Sequence, residues 1–197
     1  VAKQGKGVLY FSPEMSRHAL ARRTIQAEGP VGREAFGEDP SEEHIRRAQD
    51  VYQQVKGMPF YIMDHRGITV ERIIAVTRSI HLQKPLSLII IDHFGEIAKP
   101  EASKRRQLEG PILLLHQLNK IADDKRIRDK RPTPGDLRDT GRAREIADQI
   151  WLLYRHAKYA DTGPNNPLAG VAELIIAKNR NGEEGTAYLW YDEQFTR

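Results

Sequence analysis

Leu86-Ser87-Leu88-Ile89-Ile90-Ile91-Asp92 is apolar almost throughout, shows no polar–apolar alternation, and ends in a carboxylate. A strand with one face in water alternates. A continuous run of this length instead suits a strand buried on both faces, as in a parallel sheet covered by helices. Ile112–His116 repeats the pattern, and Gln149–Tyr154 repeats it less purely. Between such runs lie helical stretches. Ser16–Gln26 has Ser16 as its cap, and Ser41–Lys56 is capped by Ser41 with Glu42 and Glu43 at its N-terminus. Thr69 caps a stretch to about Leu82 in which Val70, Ile73, Ile74, Thr77 and Ile80 keep helical spacing.

Two further strands fall at Gly7–Ser12 and Phe60–Asp64, while Gly29–Pro40 reads as a turn-rich, mobile connection. Near the C-terminus, Val171–Lys178 and Thr186–Tyr191 flank Asn181-Gly182, a strong hairpin signal. Strand, helix and strand in repetition predict an α/β fold: a mostly parallel twisted sheet flanked by helices, with a C-terminal antiparallel β-hairpin. Only Lys99–Glu109 remains for a crossover helix between the strands ending at Asp92 and starting at Ile112, and parallel neighbours need about a dozen residues or more. The whole chain, 1–197, reads as one domain.

Composition narrows the chemistry. With 197 residues, 39% hydrophobic and 29% charged, the chain can bury a real core. No apolar run approaches the ~20 residues of a membrane span. No cationic-then-apolar leader opens it, and the expected location is cytoplasmic. Cysteine is absent, which excludes disulfides, thiolate metal sites and a cysteine nucleophile. The net charge of +4 is modest, but Lys and Arg gather at Lys99–Arg106, Lys120–Arg144 and Lys178–Arg180. Such clusters suit a polyanion such as nucleic acid or nucleotide phosphate; a solvated face is the plain alternative. Starting at Val1 a few residues before a strand, the chain reads as a piece of a longer protein.

Ligands of open α/β sheets collect at the carboxyl ends of the strands, which singles out Glu14, Asp64, Asp92 and Gln117. Asp92 has the Walker B form, apolar strand then carboxylate, in which the carboxylate holds Mg²⁺ beside nucleotide phosphates; a simple turn former is the alternative. Glu14 suits polarising an attacking water, or merely starting the helix after Pro13. Gln117 suits sensing a terminal phosphate, or is a satisfied strand-end amide. Asp136-Leu137-Arg138-Asp139-Thr140-Gly141 is a polar loop in the most basic region, able to offer Arg138 and backbone N–H groups to a nucleic-acid strand. Lys178 and Arg180 share a face at the hairpin tip and suit a finger reaching a neighbouring subunit's nucleotide; a charge-guarded edge is the alternative. The seven histidines show no metal-ligand spacing. No Gly-x-x-x-x-Gly-Lys-Ser/Thr loop occurs, and Gly5-Lys6-Gly7 is too short and wrongly placed to replace one.

Taken in order, Val8-Leu9-Tyr10-Phe11-Ser12-Pro13-Glu14-Met15, Ile89-Ile90-Ile91-Asp92, His116-Gln117-Leu118-Asn119, Lys130-Arg131-Pro132 with Asp136 to Gly141, and Lys178-Asn179-Arg180-Asn181-Gly182 resemble the motor domain of DnaB-type replicative DNA helicases. The match spans nearly the whole chain. It implies a RecA-like P-loop NTPase core, using ATP and Mg²⁺, that assembles as a hexameric ring around single-stranded DNA, with primase and a helicase loader as further partners. By the same resemblance Glu14 activates water, Asp92 is the magnesium carboxylate and Gln117 links hydrolysis to the DNA loops. Arg138, Asp139 and Gly141 match the loop that tracks the DNA backbone, and Lys178 and Arg180 the pair inserted into the next subunit's ATP site. The family's phosphate-binding loop would precede Val1. Pro13 stands where the family usually has Leu, and His93-Phe94 where it has Tyr-Leu. Ala143-Arg144-Glu145-Ile146 replaces an Ile-Glu-Gln-Asp pattern, and the connection after Asp92 is shorter than the family's. Two other readings compete: a recombination or repair ATPase of related core, and a non-catalytic ring- or DNA-binding module without a phosphate loop.

Overall fold

The computed structural model of the protein describes residues 1–93, 110–118, 129–137, 141–159 and 166–192. The chain divides into two compact units, Val1–His116 and Gln117–Arg197.

Among its described residues the N-terminal unit holds four parallel strands: β1 (Gly7–Phe11), β2 (Phe60–Met63), β3 (Leu86–Ile91) and β4 (Ile112–Leu114), in the order β2-β1-β3-β4. Its helices are α1 (Arg17–Glu28), α2 (Glu42–Val55) and α3 (Val70–Gln83). Each begins where a hydroxyl takes up an otherwise unpaired backbone N–H. Ser16 accepts from Ala19, Ser41 from His44, and Thr69 from Arg72. Leu9, Phe11, Ile89 and Ile91 form one face of the central strands and pack with Ile68 and Ile73 into a core. Val8, Tyr10, Leu88, Ile90 and Asp92 alternate onto the other face.

Two expectations change in this unit. β4 is the outermost strand of this sheet among the described residues, with Ile112 46% and Leu114 36% exposed, so it does not repeat the burial of β3. Gly29–Pro40 is not only turns: Val31 is 1% exposed and packs with Ile25, Ala35 and Val51 between α1 and α2, while residues 37–39 are exposed. The glycines just before and at the start of β1 have local reasons. Gly5 takes a left-handed φ of 74° to end a 3-10 turn. A Cβ on Gly7 would come within 2.5 Å of the Pro85 carbonyl oxygen.

The C-terminal unit holds α4 (Gly141–Ile146) and an antiparallel sheet of β5 (Gln149–Arg155), β6 (Val171–Asn179) and β7 (Gly185–Trp190), in that order. The expected hairpin is present as β6 and β7. The expectation of a doubly buried strand at Gln149–Tyr154 is wrong. β5 alternates strictly, with Ile150, Leu152 and Tyr154 buried, and it pairs antiparallel with β6. Trp151 and Leu153, which gave the run its apolar look, are exposed.

Candidate functional site

In the N-terminal unit, register builds the site. Phe11 lies beside Met63 on one side and Ile91 on the other, and Ile91 beside Leu114, so four parallel strands end along one edge. Asp92 follows Ile91, and Glu14 stands three residues past Phe11 on the adjacent strand. The segment between β1 and α1 is pinned along its length. The Ser12 N–H donates to the Met63 carbonyl at 2.8 Å, and the Met15 N–H to Ser12 Oγ at 3.1 Å. The Arg17 N–H donates to Asp64 Oδ2 at 2.7 Å. That backbone bond, more than the Arg17 side chain, holds the Asp64 carboxyl below its usual range. Ser12 is buried and Glu14 exposed, so the loop turns its carboxylate to solvent.

Asp92 is half-buried. Its N–H donates to the Phe11 carbonyl at 2.9 Å, and its Oδ2 accepts the Tyr10 hydroxyl at 2.7 Å. Burial, reinforced by the bond to Asp92 and that residue's charge, raises the Tyr10 phenol above its ordinary value, so it remains a donor at neutral pH. His93, the residue after Asp92, meets the His116 ring edge to face at 6.0 Å. Tyr10 carried no role in the sequence reading. Only the pairing of Tyr10 with Ile90, which puts it on the face of Asp92, reveals it.

Among the described residues no cluster of three or more His, Cys, Asp or Glu could hold a metal. A half-buried carboxylate past one strand and an exposed one past the adjacent strand suit Mg²⁺, which keeps its waters and is held by one or two carboxylates plus substrate phosphates.

The C-terminal unit holds cations. Lys178 Nζ donates to the carbonyls of Arg144 and Glu145, both at 3.0 Å. Arg180 donates from Nη2 to the Glu145 carbonyl at 2.8 Å and from Nη1 to Asp148 Oδ1 at 2.9 Å. Both thus satisfy carbonyls that the end of α4 leaves without helical partners. The stem before the loop is fastened to the same strand. Arg131 makes a bidentate pair with buried Glu173 of β6, both bonds 2.7 Å, and lies over the Tyr154 ring. The pair pulls the Glu173 carboxyl below its usual range and raises the Arg131 guanidinium. Arg144 Nη1 reaches the Pro134 carbonyl at 3.0 Å and ties the two stems together. A lone Glu inside the apolar run Val171–Ile176 was the signal for this pair.

Of the sequence-selected residues, Glu14 and Asp92 each follow the carboxyl end of one of two adjacent strands, and Lys178 and Arg180 meet at α4. Gln117 opens the C-terminal unit and is exposed. Gly141 begins α4. Arg138 and Asp139 lie outside the described residues. No helix among the described residues is long and apolar enough to cross a membrane.

Against known proteins, residues 1–197 match the family described as DnaB-like helicase C terminal domain. A probable replicative DNA helicase of Trieres chinensis is 27% identical over all of this chain and 47% of its own length. The replicative DNA helicase DnaB of Buchnera aphidicola (Baizongia pistaciae) is 31% identical over 98% of this chain and 44% of its own. The chain therefore spans less than half the length of these curated relatives. Among solved structures, the ATPase domain of G40P superposes with TM-score 0.88 at 23% identity, covering 100% of this chain and 75% of that one. A DnaB-like replicative helicase, described with its interactions with primase, superposes at TM-score 0.87, covering 99% of this chain and 52% of that one.

Proposed function

The chain belongs to the DnaB-like helicase C-terminal domain family, and from that premise we propose that it is the ATP-driven motor portion of a replicative DNA helicase. The observation that carries the reading is the placement of Glu14 and Asp92 past the carboxyl ends of adjacent parallel strands, in a fold of this family. Single-stranded DNA is its track and a hexameric ring its working form. Primase and a loader are its partners, and the cytoplasm its location.

The chemistry follows from the residues. Mg²⁺, when bound with ATP, would neutralise charge on the phosphates; Asp92 is the protein group that would hold it. Glu14, on a loop fixed at Ser12 and Arg17, accepts a hydrogen bond from the attacking water and sets its line of approach. Lys178 and Arg180 of a neighbouring copy stabilise charge on the transferring phosphoryl group. To do so they leave the α4 carbonyls they hold in the single chain. Engagement of the phosphates thereby loosens α4, and α4 begins at Gly141, the end of the loop that tracks DNA. Gln117 links hydrolysis to that loop, and Arg138 and Asp139 touch the DNA backbone.

The test is ATP hydrolysis by the whole gene product, with and without single-stranded DNA, beside its Glu14→Gln variant. Stimulated turnover in the parent, lost in the variant, supports the motor. Turnover in neither makes the chain a non-catalytic ring or DNA-binding module. Strand pairing without unwinding of a forked duplex makes it a recombination ATPase.

A further inference from the structure

We infer that Tyr10 is a positioning residue for the Asp92 carboxylate, setting its orientation toward a nucleotide-borne divalent cation; this rests on the reading of Asp92 above. Three strands contribute to the arrangement. Phe60, at the start of β2, meets the Tyr10 ring edge-on at 6.0 Å and an interplanar angle of 61°. Tyr10, next to last in β1, donates its hydroxyl to Asp92 Oδ2 at 2.7 Å. Asp92 follows β3 and is tied to β1 a second time through its own N–H on the Phe11 carbonyl.

A carboxylate at a strand end rotates freely about its side-chain torsions unless something holds it. Here the backbone is fixed by the ladder and one carboxylate oxygen by the phenol. Among the described residues nothing bonds Oδ1, whose lone pairs are then available to a metal-bound water. Tyrosine suits the task because its hydroxyl sits at the end of a rigid ring that packing has already oriented. Outer groups that hold a ligating carboxylate typically change metal affinity by about 10–100-fold when removed. A single neutral donor belongs at the lower end of that range.

Tyr10→Phe removes the hydroxyl and keeps the ring against Phe60. The experiment measures Mn²⁺ affinity of the whole gene product at saturating ADP, by electron paramagnetic resonance, with the thermal midpoint as control. The expected result is about a 10-fold weaker Mn²⁺ affinity in Tyr10→Phe, with metal-free ADP affinity and thermal midpoint unchanged. In an Asp92→Asn background the same substitution has no further effect, because the group it positions is already altered. Unchanged Mn²⁺ affinity in Tyr10→Phe, while Asp92→Asn weakens it, overturns the role of Tyr10 and leaves that of Asp92 standing. Mn²⁺ affinity unmoved by Asp92→Asn overturns both. A Tyr10→Phe variant that loses affinity together with thermal stability has lost packing instead, and that outcome also overturns the inference.

Discussion

The two units place their chemistry by different means. In the N-terminal unit the carboxylates stand where backbone ladders end: Ile91 beside Phe11 fixes Asp92, and Phe11 beside Met63 fixes the path to Glu14. In the C-terminal unit the cations are placed by side-chain bonds to carbonyls and carboxylates, Lys178 and Arg180 on the end of α4 and Arg131 on Glu173. A ladder buried over apolar residues survives most single substitutions in its neighbourhood. A placement made of charge-assisted bonds shifts when one partner changes, and can be exchanged for another partner. The first arrangement suits groups that stay fixed during a reaction, the second groups that switch between two acceptors.

The largest expected effect breaks the switching side. Arg180→Ala should lower kcat for ATP by about 10³–10⁵-fold, the range for loss of an arginine finger, while nucleotide binding stays within a few-fold. The substitution also removes a cap from α4, so a steady-state assay belongs beside a DNA-binding titration. Loss of nucleotide binding to the same degree as turnover would refute the finger role. Glu14→Gln tests the fixed side and should cost about 10²–10⁴-fold in kcat, as expected for removing a general base. Its thermal midpoint should not move, because Glu14 is exposed and makes none of the contacts that pin its loop.

That contrast also marks what was legible in the sequence. The unbroken Leu86–Ile91 run announces a central parallel strand, and the capping hydroxyls of Ser16, Ser41 and Thr69 announce helix starts. Both signals are local, and the structure carries all four elements. The polar residues past those runs were legible for the same reason. β5 was misread because Trp151 and Leu153 face solvent, and an exposed apolar residue looks the same in sequence as a buried one. The Tyr10–Asp92 bond was invisible because it spans a long sequence separation and depends on register; for Glu173 the lone carboxylate in an apolar run signalled a partner, but the distance in sequence hid that the partner is Arg131. The packing within Gly29–Pro40 was not read because its turn residues hide one buried apolar side chain, Val31.

A third effect is on stability rather than rate. Glu173→Ala leaves Arg131 without its carboxylate at the base of the loop. Breaking a fully buried pair costs about 3–5 kcal/mol. Because the Arg131 side chain is 45% exposed and can regain water, about 2 kcal/mol is the expectation here. Urea unfolding followed at Trp151 and Trp190, both on this sheet, should show the loss. The β1–β3 ladder, followed by hydrogen exchange, should keep its protection.

The smallest effect is acidity, and it separates the two means of placement most directly. Glu173 and Asp64 are both held below their ordinary values of 4.5 and 3.8, Glu173 first by the Arg131 side chain and Asp64 first by the Arg17 backbone N–H. A carboxyl whose value is lowered by folding contributes stability that is complete above its unfolded value and is lost as pH falls through the folded one. Lowering pH from 7 to 5 should therefore leave the stability gap between parent and Glu173→Gln constant. Below about 4.5 the gap should narrow, because the parent is then taking up the proton that the variant mimics. Asp64, whose bond lies at the surface, is lowered in the same sense, so its contribution at the start of α1 is also lost as pH falls through its folded value. A gap that stays constant down to pH 3 would mean that the Glu173 charge adds nothing beyond its shape, and that the C-terminal unit, like the N-terminal one, is held by its backbone.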